Sequence, residues 1–255
     1  EGMSMSIERW GWYSVGVNVL LIAINLTVAL ASGNLAVAAE MVHNMADFVA
    51  ALAVLLGLRL SSRKSAAFPY GLYKLENIIA IVLAGTIFFT AYEIAKDALT
   101  AAEGMGAVSL WMLVAVTLAG AIPLIFSRYE LKAGRAANSP ALIADAQEYR
   151  VHGLTAAVAL LALIGQRANL ALDRIGALLI VVVIAKTGWD LLIGSVRVLL
   201  DASLPPETLD QVREIILSEP AVAQLNWVTG RNAGRFRFIE AEIALSGADA
   251  STIMW

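Results

Sequence analysis

An α-helical membrane protein with six transmembrane helices, followed by the start of a small cytoplasmic α/β domain, is the fold class this sequence predicts. Three observations carry it. Hydrophobic residues make up 59% of the 255 and charged residues only 15%, against roughly 25% charged in soluble domains. Mean hydropathy is +0.74. Six stretches, at 11–31, 35–58, 77–98, 107–127, 140–164 and 175–200, meet the length of about 20 mostly apolar residues that a bilayer core requires.

The first stretch opens on Trp10, Trp12 and Tyr13, amphipathic rings suited to the membrane interface. A tight turn around Ser32-Gly33-Asn34 leads to the second. Gly104 and Gly106 mark the turn from third to fourth, and Gly165 to Asn169 the turn from fifth to sixth. The other two connections are basic. Arg59, Arg63, Lys64 and Lys74 lie between the second and third stretches, and Arg128, Lys132 and Arg135 between the fourth and fifth. Arg9 and Arg197 fall on the same side, opposite Lys96, Arg167 and Arg174. Lys and Arg concentrate in cytoplasmic loops, so a multi-pass protein of the inner cell membrane is expected, with both termini in the cytoplasm.

After Asp201 the character changes. Pro205-Pro206-Glu207 opens a polar amphipathic helix through about Ser218. Two strand-like stretches follow, near 223–229 and 235–245, joined by Gly230-Arg231-Asn232-Ala233-Gly234. The division expected is a transport domain over 1–203 and a partial cytoplasmic α/β domain over 204–255. The sequence stops at Trp255, too soon for a sheet covered on both faces, so a truncated domain is expected.

The composition also excludes. Net charge is −3, with no basic tract to track nucleic acid. Cysteine is absent, which removes disulfides, thiolate metal sites and thiol redox chemistry. No short apolar stretch precedes the first long one, so a cleavable leader is not expected. No nucleophile motif points to an enzyme.

Both histidines of the chain lie in apolar stretches, each four residues from a carboxylate: His43 before Asp47, and His152 after Glu148. That spacing puts each pair on one helix face. At 1.5 Å rise per residue, His43 lies roughly 12 Å below the outer face and Asp47 roughly 18 Å, while Glu148 and His152 lie roughly 12 and 18 Å above the inner face. Across a core of about 30 Å, the two pairs share one level. Ionisable groups at such depth mark ion or proton pathways, and two imidazoles with two carboxylates form a four-ligand shell for a divalent transition metal. Two separate polar pairs in a bundle core, or a proton relay without metal, are the alternatives. Among other polar residues, Asp145 suits either cation attraction at an entrance or a helix cap. Arg150 is expected to pair with a carboxylate elsewhere. Asn18, Asn25 and Asn77 suit interhelical hydrogen bonds. Gly176, Gly188 and Gly194 suit packing points.

Four segments together resemble the cation diffusion facilitator family of proton-coupled zinc and iron exporters. These are the HxxxD at His43 and Asp47, the run Ala144-Asp145-Ala146-Gln147-Glu148-Tyr149-Arg150-Val151-His152, the loop Phe68-Pro69-Tyr70-Gly71-Leu72-Tyr73-Lys74-Leu75-Glu76, and the junction Leu199-Leu200-Asp201-Ala202-Ser203-Leu204-Pro205. The resemblance implies a homodimer of six-helix protomers, each exchanging a divalent metal for protons by alternating access. It also implies a cytoplasmic dimerisation domain and a charge interlock between Lys74 and Asp201. Members commonly place His then Asp in the fifth span; here Glu148 precedes His152, which keeps the ligand count. Leu72 stands where relatives with a second loop site carry His.

The expected function is export of a divalent cation from the cytoplasm in exchange for protons. The metal ligands are His43, Asp47, Glu148 and His152. Zn²⁺ comes first and Fe²⁺ close behind, each as transported substrate, with no prosthetic group. The bilayer, protons and a second copy of the chain are the other partners. A membrane-bound metal sensor that binds without transport is the alternative.

Overall fold

The computed structural model describes residues 2–32, 35–61, 63–69, 71–100, 110–168 and 173–246. Six long helices come first: α1 (Gly2–Ser32), α2 (Leu35–Ser61), α3 (Leu75–Thr100), α4 (Leu110–Ala136), α5 (Pro140–Ala168) and α6 (Asp173–Leu199). A shorter helix α7 (Pro206–Ser218) and the strands β1 (Val222–Ala233) and β2 (Phe236–Leu245) complete the chain. Five of the expected apolar stretches coincide with their helices to within a residue or two or lie inside them. The fourth differs: α4 runs on to Ala136 rather than stopping near 127. Backbone hydrogen bonding does not stop where apolarity does, and Arg128, Glu130 and Lys132 are therefore helical. Gly165 is likewise still within α5. The expected turn residues Gly33, Asn34, Gly104, Gly106 and Asn169 lie outside the described residues, as do the side chains of Asn25 and Arg174.

Length and composition suit a bilayer core most clearly in α3 and α6, over Leu75–Lys96 (mean hydropathy 2.0) and Leu178–Leu199 (1.8). Their outward surfaces are apolar: Val82, Phe89, Leu179 and Val182 are all exposed. Water would not tolerate so continuous an apolar face on a monomer, whereas lipid does.

Since lipid removes the usual hydrophobic drive between helices, close backbone approach must hold them together. The principal pairings are α4 with α5, α3 with α6 and α1 with α2. Small residues sit at each. A Cβ on Gly153 of α5 would fall 2.1 Å from Leu124 of α4, and one on Gly188 of α6 would fall 3.2 Å from Ile87 of α3. Gly194 has nothing within 4 Å, so of the glycines of α6 it is Gly188 that serves as a packing point; Gly176 lies outside the described side chains. Ile7, Val54, Leu58, Ala80, Leu83, Ala141, Leu142 and Ala144 form one core that joins α1, α2, α3 and α5.

The two strands form an antiparallel hairpin, with Ala233 opposite Phe236. β1 therefore continues through most of the expected loop and leaves Gly234-Arg235 as a two-residue turn. Gly234 has φ +57, and a Cβ there would lie 2.1 Å from the Tyr73 carbonyl oxygen. Only glycine satisfies both the left-handed backbone and that approach.

The reason for the close approach is Arg235. Its Nε donates to Glu76 Oε1 at 2.8 Å, and its Nη2 donates to the Leu58 carbonyl (3.0 Å) and to Ser61 Oγ (2.7 Å). Ser139 Oγ donates to the other Glu76 oxygen. The Gly234 amide donates to Asn77 Oδ1 at 3.1 Å, and Asn138 donates to the Arg235 carbonyl at 3.3 Å. The hairpin tip is thus plugged into the ends of α2 and α3 and the α4–α5 turn. Asn77, expected to bond between helices, instead holds the hairpin.

A second contact lies beside it. Asp201, at φ +55 after the end of α6, accepts from Lys74 Nζ at 2.8 Å and from Arg231 Nη1 at 2.7 Å. Lys74 also donates to the Leu199 carbonyl. Hydrogen bonds from Lys74 first and Arg231 second hold the Asp201 carboxyl below the ordinary carboxylate range.

The Arg235 side chain is 8% exposed and that of Glu76 is 0%, so Arg235→Ala strands a buried carboxylate and should cost about 3–5 kcal/mol in thermal unfolding. The Arg59–Glu8 pair is 42% and 37% exposed, and Arg59→Ala should cost at most about 1 kcal/mol in the same assay. Asp201 is also well exposed, so Asp201→Ala should cost under about 1 kcal/mol. A carboxyl depressed on folding stabilises above its unfolded value and loses that effect as pH falls through the lower folded one. The difference between Asp201→Ala and the unmodified chain should therefore stay constant from neutral pH to about pH 5 and shrink below about pH 4.

Candidate metal centre

The spacing of four along α5 puts Glu148 and His152 on one face, and that face meets α2 at Asp47. His152 Nε2 lies 3.4 Å from Asp47 Oδ2. One ligand-capable atom from each of Asp47, Glu148 and His152 lies within 4.8 Å of the other two. At metal–ligand distances of about 2.0–2.1 Å, tetrahedral geometry separates neighbouring donors by about 3.3 Å. The Asp47–His152 separation has that size. Asp47 reaches His152 as well as Glu148, although the depth arithmetic set it level with Glu148 alone. His43 lies on α2, one turn before Asp47; its side chain falls outside the described residues.

Burial grades across the cluster. Glu148 is 8% exposed, while the side chains of Asp47 and His152 are 14% and 22% exposed. The carboxylate with least solvent has a dedicated donor: Thr86 of α3, whose Oγ1 lies 2.5 Å from Glu148 Oε1. α5 is held in rotation by its next residue. The Tyr149 hydroxyl donates to the Ser14 carbonyl at 2.9 Å and accepts from Asn18 Nδ2 at 2.6 Å, and its ring packs edge-on against Phe126 of α4 at 4.9 Å. Asn18 therefore makes the interhelical bond expected of it. A tyrosine clamped between α1 and α4 leaves Glu148 and His152 little freedom to turn away from α2.

Asp145 is not a cap. It lies within α5 at 3% exposure, and Ser139, just before the helix, takes the capping position, its Oγ accepting from the Leu142 amide at 3.5 Å and its carbonyl from the Ile143 amide. Its carboxyl faces Ser14 of α1 and Glu130 of α4. Glu130 is fully buried, and both its oxygens and Asp145 Oδ2 find no hydrogen-bond partner among the described residues. Arg150 points outward, exposed, and makes no ion pair among the described residues. Lys186 pairs with Asp190 one turn along α6 at 2.8 Å.

Thr86, Glu130 and Tyr149 escape a reading of the sequence for ligands. A lone threonine in an apolar stretch gives no periodic or motif signal, and Glu130 lies past the apolar part of its helix. Tyr149 stands next to a ligand candidate, but its own role depends on which helices flank it.

Comparison with known proteins converges with this geometry. Residues 11–200 match the cation efflux transmembrane domain. The chain belongs to the cation diffusion facilitator family. Among its relatives, magnetosome protein MamB of Magnetospira sp. (strain QH-2) is 25% identical over 228 residues, covering 88% of this chain and 78% of MamB. The manganese efflux system protein MneP of Bacillus subtilis is 28% identical over 238 residues, covering 89% and 80%. A second B. subtilis protein, the manganese efflux system protein MneS, is 24% identical over 243 residues, covering 94% and 83%. This cation diffusion facilitator is therefore a membrane transporter for the efflux of metal cations, and the family is one of transporters rather than enzymes. The exposed apolar faces of α3 and α6 have their explanation in the bilayer.

Proposed function

We propose that this chain exports a divalent transition metal from the cytoplasm in exchange for protons, binding it at Asp47, Glu148, His152 and His43. The observation that carries the reading is the convergence of Asp47 from α2 with Glu148 and His152 from α5. His43, one turn from Asp47, shares its helix face and completes four ligands. In this reading α1 to α6 all cross the membrane and both termini are cytoplasmic, in keeping with the basic residues between α2 and α3 and between α4 and α5. The transport domain covers 1–203 and a cytoplasmic domain begins at 204, in a homodimer.

Charge explains the exchange. With both imidazoles neutral, two carboxylates and a divalent ion sum to zero, so the loaded centre carries no net charge into a low-dielectric bundle. Emptied, the same centre holds two negative charges, which are costly at that depth. Protons that take the metal's place on the carboxylates and imidazoles remove that cost, because a protonated ligand cannot coordinate. Metal and protons then occupy the same atoms in alternation.

Imidazole with carboxylate suits Zn²⁺, Fe²⁺, Co²⁺ and Mn²⁺, and geometry discriminates among them. Two imidazoles among four ligands suit Zn²⁺ first, with Fe²⁺ next. The activity for which MneP and MneS are named brings Mn²⁺ into the same set.

Asp47→Ala removes one ligand and should lower metal flux into proteoliposomes by at least about 100-fold, with thermal stability close to that of the unmodified chain. Flux at the unmodified level would remove Asp47 from the centre. Metal bound tightly by the unmodified chain with no flux would make the protein a sensor. Metal affinity should fall steeply as pH drops through about 6.5, where imidazole ordinarily titrates. Isotherms that coincide on the two sides of that value would rule out competition between metal and protons.

A further inference from the structure

We propose that Thr86 is a specificity-determining positioning residue: by engaging one oxygen of Glu148, it limits the centre to a small, four-coordinate cation. The inference rests on the reading of Asp47, Glu148 and His152 as the metal centre and concerns the coordination number that centre offers.

The geometry is specific. Thr86 Oγ1 lies 2.5 Å from Glu148 Oε1 and 2.7 Å from the Leu83 carbonyl oxygen of its own helix. The single hydroxyl proton has two acceptors within reach, and the shorter contact, to Glu148 Oε1, lies at the short end of the O–H···O⁻ range where charge-assisted bonds fall. A threonine side chain is also stiff at χ1, so the hydroxyl does not follow the carboxylate if the latter rotates. The platform beneath it is rigid. Leu83, one turn earlier, is 1% exposed in the core that joins α1, α2, α3 and α5, and Ile87, the next residue, packs with Val151 of α5 and Ile184 of α6. Thr86 therefore holds Oε1 at a point set by α3.

A carboxylate coordinates a metal through one oxygen or both. Large, oxygen-preferring ions collect six or more donors and commonly use carboxylates in the two-oxygen mode, whereas Zn²⁺ is satisfied by four donors at about 2.0–2.1 Å. Mn²⁺ belongs with the octahedral oxygen-binding ions. A carboxylate oxygen keeps a second lone pair while it accepts a hydrogen bond, but pinning Oε1 to a point set by α3 restrains Glu148 from turning to chelate with both oxygens. The centre then offers one atom each from Asp47, Glu148, His152 and the fourth ligand, a set that suits Zn²⁺ and leaves Mn²⁺ short. Relatives named for manganese efflux make this discrimination a live one within the family.

Thr86→Val removes the hydroxyl and keeps the shape, and Thr86→Ala removes the hydroxyl by a second route if the valine variant folds poorly. Titration calorimetry of the purified full chain with Zn²⁺ and, separately, with Mn²⁺ reads the outcome. Outer-shell partners contribute about 10–100-fold to metal affinity. Zn²⁺ binding should therefore weaken by about tenfold or more, while Mn²⁺ binding changes by less than about twofold or tightens, and the Zn²⁺-to-Mn²⁺ affinity ratio falls at least about tenfold. Thr86→Ser, which restores the hydroxyl, should restore the ratio. A ratio that stays constant, whether both ions weaken in parallel or neither changes, overturns the proposal, as does a serine variant that behaves like valine. Asp47→Ala is titrated alongside. If it binds Zn²⁺ as the unmodified chain does, the centre itself is misassigned; if it loses binding while the Thr86 ratio holds, the centre stands and only the role of Thr86 falls.

Discussion

Glu148 is almost entirely withdrawn from solvent, and a carboxylate so placed must have a strong donor, a proton or a cation within reach. Much of the bundle around it answers that requirement. α3 supplies Thr86 to one oxygen. α2 supplies Asp47, which in turn approaches His152. α1 and α4 act at one remove: Ser14, Asn18 and Phe126 clamp Tyr149 and so fix the rotation of α5. Three acidic or imidazole side chains with so little water between them form a strongly coupled group. A divalent cation would relieve the repulsion between the two carboxylates more completely than solvent does.

The same low-dielectric logic recurs at the other end of the helices. Arg235 reaches Glu76 from the hairpin turn through Nε, and its Nη2 donates to the Leu58 carbonyl and Ser61. Glu76 is the second residue of α3, the helix that carries Thr86, and Leu58 and Ser61 end α2, the helix that carries Asp47. The hairpin is thus tied to the two helices that, with α5, meet at the centre. Lys74, Asp201 and Arg231 add a more exposed link between the start of α3, the end of α6 and β1. The buried ion pair is the stronger register of the two, because solvent screens the contact at Asp201.

Small residues explain how helices so rich in apolar side chains find one arrangement. Gly153 admits Leu124, Gly188 admits Ile87, and Gly57 admits Ile79. Lipid does not discriminate among apolar faces, so it is the gaps left by these glycines, together with the polar contacts of Tyr149 and Glu148, that select which faces turn inward. Outward, Leu179, Val182 and Val82 stay exposed.

Local properties of the chain, apolar length and the spacing of four, carried the helices, their order and the placing of Glu148 and His152 on one face of α5. Asp47, Glu148 and His152 were candidates on that ground, with His43 beside them by spacing alone, and the Lys74–Asp201 contact was legible through the resemblance to known members of the family. The tertiary structure alone decided the rest. It brings Asp47 to His152 across two helices, sets Thr86 against Glu148 from a third, and sends Asn77 to the hairpin rather than to a neighbouring helix. It buries Asp145 and Glu130 against each other and extends β1 to a two-residue turn so that Arg235 can reach Glu76. Each of these depends on which faces of separate helices meet. That is settled by shape complementarity and by the need to satisfy buried polar groups, and neither leaves a periodic trace along the chain.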